Sequence, residues 1–375
     1  MSKQAEYLDI NGEPIIEDED MGEVIMEEPF NPVLINIETQ TPVLYNIISR
    51  LKASPPEIDL YPDFQRKDNL WDEGKQSRLI ESILISFPLP AFYFDGTDDN
   101  KWLVVDGLQR LSAIRNFVID QSLSLKEVEY LKNLEGFTFK SLIRPLQRKI
   151  EETQVIAYII KAGTPLEVKF NIFRRINTGG LVLEPQEIRH ALNQGLPAQT
   201  VAEMAAYTEF KLATEYKIRN DRMLDREFIT RFIAFYLNEP TKYTPDLDSF
   251  LNISMAQIKA LSQCELEKMK SEFKEAMKYS HEIFGNWAFR KADLYPKKRK
   301  PINKALFEVW SVNLAKLNNE QRKQLLTNKQ ALMKAFSKMM KGDAKFTRSV
   351  TSGTGGKQQV IERFSKVEQL IRQFL

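Results

Sequence analysis

The sequence predicts an α+β N-terminal domain with a small mixed sheet, followed by an all-helical C-terminal domain. Two observations carry this. Short runs rich in β-branched and aromatic residues alternate with helical spacing up to about residue 162. Beyond that point nearly every segment repeats its apolar residues at helical intervals. Three divisions follow: an acidic mobile arm over residues 1–30, an α+β domain over 31–162, and a helical domain over 163–375, its first part completing the site.

The elements follow in order. In TPVLYNIISRLKA, Thr41 reads as an N-cap and Pro42 as the first helical residue, with Val43, Leu44, Ile47, Ile48 and Leu51 on one face. SPPEIDLYPDF is extended and punctuated by proline. KQSRLIESILIS is a helix with Leu79, Ile80, Ile83 and Leu84 inward, stopped by FPLP. AFYFDG and KWLVVD are strands, and the helix LSAIRNFVID follows the turn after Asp106. FTFKSL and ETQVIAYIIK are further strand candidates. Helices are then expected in PLEVKFNIFRRIN, PQEIRHALNQG, LPAQTVAEMAAY, MLDREFITRFIAFYL, DLDSFLNI, the stretch from Ser254 to Phe284, INKALFEVWSVNLAKL, NEQRKQLLTNKQALMKAFSKMM and QQVIERFSKVEQLIRQFL. TSGTGGK, at 351–357, is a polar glycine turn.

Composition narrows the class. One cysteine, Cys264, allows neither an internal disulfide nor a cysteine metal cluster. No apolar run approaches the ~18 residues of a membrane span, and the acidic N-terminus is unlike a secretory signal. A cytoplasmic location with no membrane partner is the expectation. The net charge of +2 hides an asymmetry: residues 1–30 carry ten acids and one base, leaving +11 over residues 31–375. Sixteen Lys or Arg lie between Arg290 and Arg348. Two readings of that run stand: a surface for nucleic acid, or a solvated helical face.

Three constellations carry chemistry. Asp106-Gly107-Leu108-Gln109-Arg110 joins a strand to a helix. Gly107 permits a tight turn and close approach of a ligand. The helix start favours an anion. Arg110 offers a planar fork for phosphate oxygens. Gln109 can orient a water or bind a ribose or base, and Asp106 can hold hydrated Mg²⁺ or orient an attacking water. The competing reading is a plain turn with Arg110 paired to a neighbouring acid. The second, FRRINTGGLVLEPQEIRHAL, holds Asn177-Thr178-Gly179-Gly180 between helices, with Arg174, Arg175 and Arg189 close in sequence. It reads as an anion-binding bend or as a helix C-cap followed by Pro185. In the third, PDFQRKDNLWDEGKQSRLI, Gln65 and Arg66 precede a helix, and Trp71 stacks on a base or anchors the segment.

Together F-Q-R…W, S-R-L-I-E-S-I-L…P-L-P, V-V-D-G-L-Q-R-L-S-A-I and F-R-R-I-N-T-G-G-L-V-L-E-P-Q-E-I-R resemble the GmrSD-type restriction family. In that family the central motif is usually D-G-Q-Q-R; here it is D-G-L-Q-R, so any contact made by the first glutamine is absent at Leu108. RMLDREFITRFIAFYL, INKALFEVW and SGTGGKQQVIERF also look like the family's helical portion, extending the resemblance over about residues 35–375. It implies a ParB/sulfiredoxin-like N-terminal domain, with Gly107 to Arg110 under nucleotide phosphates. It further implies NTP binding and hydrolysis with Mg²⁺ in prokaryotic defence against phage or foreign DNA.

The expected site comprises Asp106 (also the metal residue), Gln109 and Arg110 as catalytic groups. Gln65, Arg66, Gly107, Leu108, Arg175, Asn177, Thr178, Gly179, Gly180 and Arg189 would hold the nucleotide. Many members carry an HNH-type nuclease, which needs histidine as base and ligand. With only His190, read as helix-surface or site-lining, and His281, read as structural, the expectation is a chain without it, any nuclease being a separate subunit. Nucleotide-gated binding or cleavage of duplex DNA, and a non-enzymatic partner subunit, are the alternatives. An oligomer is left open.

Overall fold

The computed structural model describes residues 14–21, 32–60, 71–176, 183–220, 222–291 and 300–375. Gln65, Arg66 and Asn177 to Gly180 lie outside them. The chain divides into two compact units, one over Phe30–Leu192, the other joining Met1–Pro29 to Asn193–Leu375. The boundary thus falls some thirty residues beyond the expected one, and two helices assigned to the helical domain belong to the α+β unit.

The α+β unit is built on a five-stranded mixed sheet among the described residues: β1 (Ile37–Gln40), β2 (Ile58–Asp59), β3 (Phe92–Asp98), β4 (Lys101–Asp106) and β5 (Ala157–Lys161). Their order is β1-β5-β3-β4-β2, with β1/β5 and β3/β4 antiparallel and β3/β5 and β2/β4 parallel. Phe92, Phe94, Trp102, Val104 and Ile159 bury one face against α1 (Leu44–Lys52), α2 (Glu73–Leu84), α3 (Leu108–Ile114) and α4 (Arg144–Glu152). α5 (Leu166–Ile176) packs on β4, and α6 (Pro185–Leu192) packs on α5.

Local chemistry explains three departures from the expected elements. α1 starts at Leu44, not at Pro42, because the Pro42 carbonyl accepts from Val155 N–H at 3.0 Å and Val43 bridges Gln154. The chain there extends the sheet edge instead of capping a helix. FTFKSL is no strand: the Ser141 hydroxyl accepts from Thr138 N–H at 2.8 Å and closes a 3₁₀ turn over Phe139–Ser141. α4 was not anticipated.

Within this unit Glu81 on α2 is buried and fastens a long connection. Its carboxylate accepts from the backbone N–H groups of Glu129 (2.8 Å), Tyr130 (2.6 Å) and Leu131 (2.6 Å). Burial alone would push its pKa up; the three N–H donors outweigh burial and hold it below the ordinary glutamate range.

The second unit is helical. Its core gathers α7 (Leu196–Ala206), α8 (Thr208–Ala213), α9 (Leu224–Leu237), α10 (Leu247–Gln257), α11 (Gln263–Phe284), α12 (Lys304–Ala315), α13 (Asn319–Thr327), α14 (Lys329–Gly342), α15 (Ala344–Ser349) and α16 (Lys357–Arg372). The single expected helix over 319–340 is split at Asn328, whose amide caps α13 through Gln324 O. At the centre Glu308, with no exposure, lies between Arg231 (2.6 Å) and Arg363 (2.6 Å). The expected mobile acidic arm is, over residues 14–21, an extended segment fixed to this unit: Glu17 N–H donates to Ile302 O (2.8 Å) and Ile302 N–H to Ile15 O (2.9 Å). No helix among the described residues is long and apolar enough to cross a membrane.

Glu81→Gln should lower the unfolding free energy at pH 7 by about 2 kcal/mol, since a charge-assisted set of bonds is lost. The sign with pH follows from the depressed pKa. The Glu81 contribution is complete above the unfolded value of about 4.3 and is lost as pH falls through the lower folded value. Urea titrations of both proteins at stepped pH should converge in acid. A gap that stays constant with pH would refute the assignment.

Candidate functional site

The site is built where β4 hands over to α3. Tyr93 on β3 pairs with Asp106, and the next pair is Phe94 with Val104, so β4 carries one extra residue at its end. This bulge turns Asp106 onto the sheet face that carries Tyr93 and, beside it on β5, Tyr158. The two tyrosine rings stack at 4.9 Å. Burial, then Tyr158 and Asp106, raise the pKa of Tyr93, with Arg110 opposing, so its hydroxyl stays a neutral donor. Gly107 takes φ 105°, and a Cβ there would meet the Phe92 ring at 2.5 Å. Glycine is therefore required both by the backbone and by the packing.

Arg110 is buried and makes three hydrogen bonds. Its guanidinium donates to the Pro90 carbonyl, to Ala91 O at 3.1 Å and to Asp106 Oδ2 at 2.8 Å, and lies 4.5 Å above the Phe92 ring. Burial draws its pKa down and Asp106 partly restores it. The fork expected under phosphate oxygens is spent on tying the start of α3 to the start of β3. This is the ion-paired turn that the sequence left as the competing reading. Asp106 keeps a side chain 24% exposed, and its Oδ1 has no partner among the described residues.

Gln109 faces another way. Its Oε1 accepts from Trp71 N–H at 3.1 Å; Gln76 donates to Trp71 O at 2.8 Å, and Asn116 donates to Gln76 Oε1 at 2.9 Å. Gln109 thus holds the residue that follows the 61–70 segment. Trp71 is half-buried against the core. Leu108 packs on the same apolar cluster.

The second constellation separates by exposure. Arg174 and Arg175 are exposed at the C-terminal end of α5. Arg189 is buried on α6, bonded to Gln186 Oε1 at 3.0 Å and 5.7 Å above the Phe170 ring. His190 is 1% exposed, which overturns the helix-surface alternative of its two expected readings. Sequence reasoning missed Tyr93, Tyr158 and the buried Lys169–Asp95 pair (3.1 Å) joining α5 to β3. A charged pair on apolar elements is the signal that could have found the last. No cluster of three or more His, Cys, Asp or Glu among the described residues is disposed to hold a metal.

Arg110→Ala should cost about 3 kcal/mol of stability, because it strands a carboxylate and two carbonyls in a buried place. Gly107→Ala should cost about 1–2 kcal/mol from the left-handed φ alone, with a further cost from displacing Phe92. Denaturant midpoints for both, falling within error of the native protein, would contradict this account.

Comparison with curated proteins and with solved structures found no match. Residues 44–193 match the family model of the GmrSD restriction endonuclease N-terminal domain. That span takes in α1, the sheet from β2 to β5, the Asp106 turn and all of α6. The chain therefore carries, over these residues, a domain of the GmrSD restriction endonuclease N-terminal type.

Proposed function

We propose that the α+β unit binds a nucleoside triphosphate and hydrolyses it with Mg²⁺, as the nucleotide-dependent component of a restriction system. The observation that carries the reading is the Asp106 carboxylate. One oxygen is fixed by Arg110, and the other has no partner among the described residues, at the carboxyl end of β4. A carboxylate so held can orient an attacking water or a water on a metal. The donor set fits Mg²⁺ only as a single protein carboxylate, which is common where substrate phosphates supply the remaining ligands. The ion would neutralise charge developing on the phosphate oxygens.

The remaining roles are distributed differently from a simple phosphate cradle. Arg110 is a positioning residue, because it is buried and three of its five N–H donors are given to Pro90, Ala91 and Asp106. Arg175, exposed beside Arg174 at the end of α5, is the cation assigned to phosphate. Gln109 acts through Trp71, fixing the end of the segment that holds Gln65 and Arg66. The Tyr93–Tyr158 face next to Asp106 gives a polar-edged aromatic wall for a ribose or base.

A second component of the reading concerns DNA. Arg290 and Arg322 of the basic run are buried; burial pushes the Arg290 pKa down to about 10, and Arg322 caps α12 through Leu314 O and Ala315 O. The exposed charge resides on Lys323, Lys329, Lys334, Lys338, Lys341 and Lys345 of α13–α15. These lysines are the surface proposed to track duplex phosphates, with cleavage assigned to a separate nuclease subunit.

Asp106→Asn preserves shape while removing the anion. Phosphate release from a panel of four NTPs with Mg²⁺ should fall by about 100-fold or more, while the circular dichroism spectrum stays native. Turnover equal to that of the unaltered protein would remove Asp106 from the mechanism. Arg175→Ala should raise KM more than it lowers kcat.

A further inference from the structure

The contacts of residues 14–21 with the helical unit have the anatomy of peptide recognition. Main-chain bonds run to Ile302 on one side (Glu17 N–H to Ile302 O, 2.8 Å; Ile302 N–H to Ile15 O, 2.9 Å) and to the glycine turn on the other (Thr354 N–H to Asp20 O, 2.9 Å). Strand addition of this kind gives affinity through the backbone and selects through alternate side chains. Ile16 enters the apolar core and is 4% exposed. Asp18 points to solvent and Glu19 inward again.

Three of the four acids, Glu17, Glu19 and Asp20, meet partners on the helical unit. Glu19 is gripped in parallel by both ends of the Arg231 fork (3.1 and 2.5 Å) and by the Thr354 hydroxyl (3.0 Å). Glu17 accepts from Lys291 and from Asn303 Nδ2 at 3.1 Å. Asp20 accepts from the Ser352 hydroxyl at 2.7 Å. Gly355 is shaped for the same segment: a Cβ there would lie 2.8 Å from Met21 Cε and 3.3 Å from Met21 O. The TSGTGG turn is therefore fitted to a backbone passing over it.

Charge balance shows what the groove requires. Among the described residues, the ion pairs that Arg231, Lys304 and Arg363 make with the helical body are to Glu227 and Glu308, while Lys291 pairs with Glu17. Glu17 and Glu19 supply the two missing negative charges. Burial opposes ionisation of Glu19, yet Arg231 and Lys304 hold its pKa below the ordinary range. Without an acidic occupant the groove would carry an excess of two cations among the buried Arg231 and Arg363 and the partly buried Lys291 and Lys304, which is costly.

We propose that this groove is a docking site for an extended acidic peptide of pattern Ile-Glu-x-Glu-Asp. Residues 14–21 are its resident ligand in cis, and a partner protein carrying such a segment enters by displacing them. A tethered ligand is present at an effective concentration on the order of mM. Modest intrinsic affinity therefore keeps the groove closed until a partner competes.

The test uses the full chain with Glu17→Gln, Glu19→Gln and Asp20→Asn, which weakens the resident segment and leaves Ile16 seated. A fluorescent PIIEDEDM peptide is titrated and read by anisotropy. It should bind this variant at least about tenfold tighter than the native chain, because the tethered competitor is weakened. Binding should weaken with added salt and vanish when the peptide's isoleucine is replaced by serine. No binding, or equal binding to both chains, overturns the proposal. So does displacement of the peptide by a single-stranded oligonucleotide, which would make the groove a phosphate site. Should the variant not fold, hydrogen exchange on the native chain decides. The Glu17 amide is expected to exchange faster than the α12 core amides, and equal protection overturns the idea of a displaceable segment.

Discussion

The Arg110 guanidinium holds three groups by hydrogen bonds: the Pro90 and Ala91 carbonyls before β3, and the Asp106 carboxylate at the end of β4. Those groups flank the hairpin from which the site is built. Because the fork is rigid and lies on Phe92, it fixes the angle at which α3 leaves the sheet. The glycine at 107 follows from the same constraint, since the Phe92 ring occupies the place a Cβ would need. A lysine could match the charge but not the simultaneous reach to three acceptors. The invariant logic of the turn is therefore steric and electrostatic together, and the open oxygen of Asp106 is what remains for chemistry.

Much of this was legible in the chain. Period-two runs at AFYFDG and KWLVVD, and the acid followed by glycine between strand and helix, locate the turn without coordinates. What periodicity could not reveal was where each polar side chain goes. Arg110 reads as a phosphate ligand from its neighbours in sequence, yet its partners sit about twenty residues upstream, in a proline-rich stretch with no charge to signal them. Tyr93 and Tyr158 meet only because β5 lies beside β3, a long-range pairing that local pattern does not encode. The same holds for the acidic arm. Its composition reads as disorder, and only the tertiary partners Arg231, Lys291 and Ser352 convert a run of acids into a fixed segment.

The two units manage buried charge in different ways. In the α+β unit Asp95 and Asp106 are each met by one cation, Lys169 and Arg110, and Glu81 by three backbone N–H groups. That arrangement pins a connection and leaves no charge to exchange. In the helical unit, Glu308 is met by two arginines, and one of them reaches on to Glu19. An excess of two cations in the body is balanced by Glu17 and Glu19 of a segment from elsewhere in the chain. A receptor for an acidic ligand is the natural result, whereas a fully satisfied internal pair would leave nothing to recognise.

The departure at Leu108 can be judged on the same terms. The residue directly after Gly107 packs against the apolar cluster beneath the sheet, with Leu111, Ile114 and Phe117 further along the helix buried in the same cluster. A side chain so placed contributes to seating α3. The following residue, Gln109, spends its carbonyl on Trp71 and thereby on the segment preceding α2. Replacement of glutamine by leucine at 108 therefore exchanges a polar group for an apolar one on the core side of the turn and leaves the Asp106 oxygen untouched. The chemistry proposed here depends on the residue before the glycine and on the arginine three residues after it. Both are present, and both are held in place by bonds that the leucine does not interrupt.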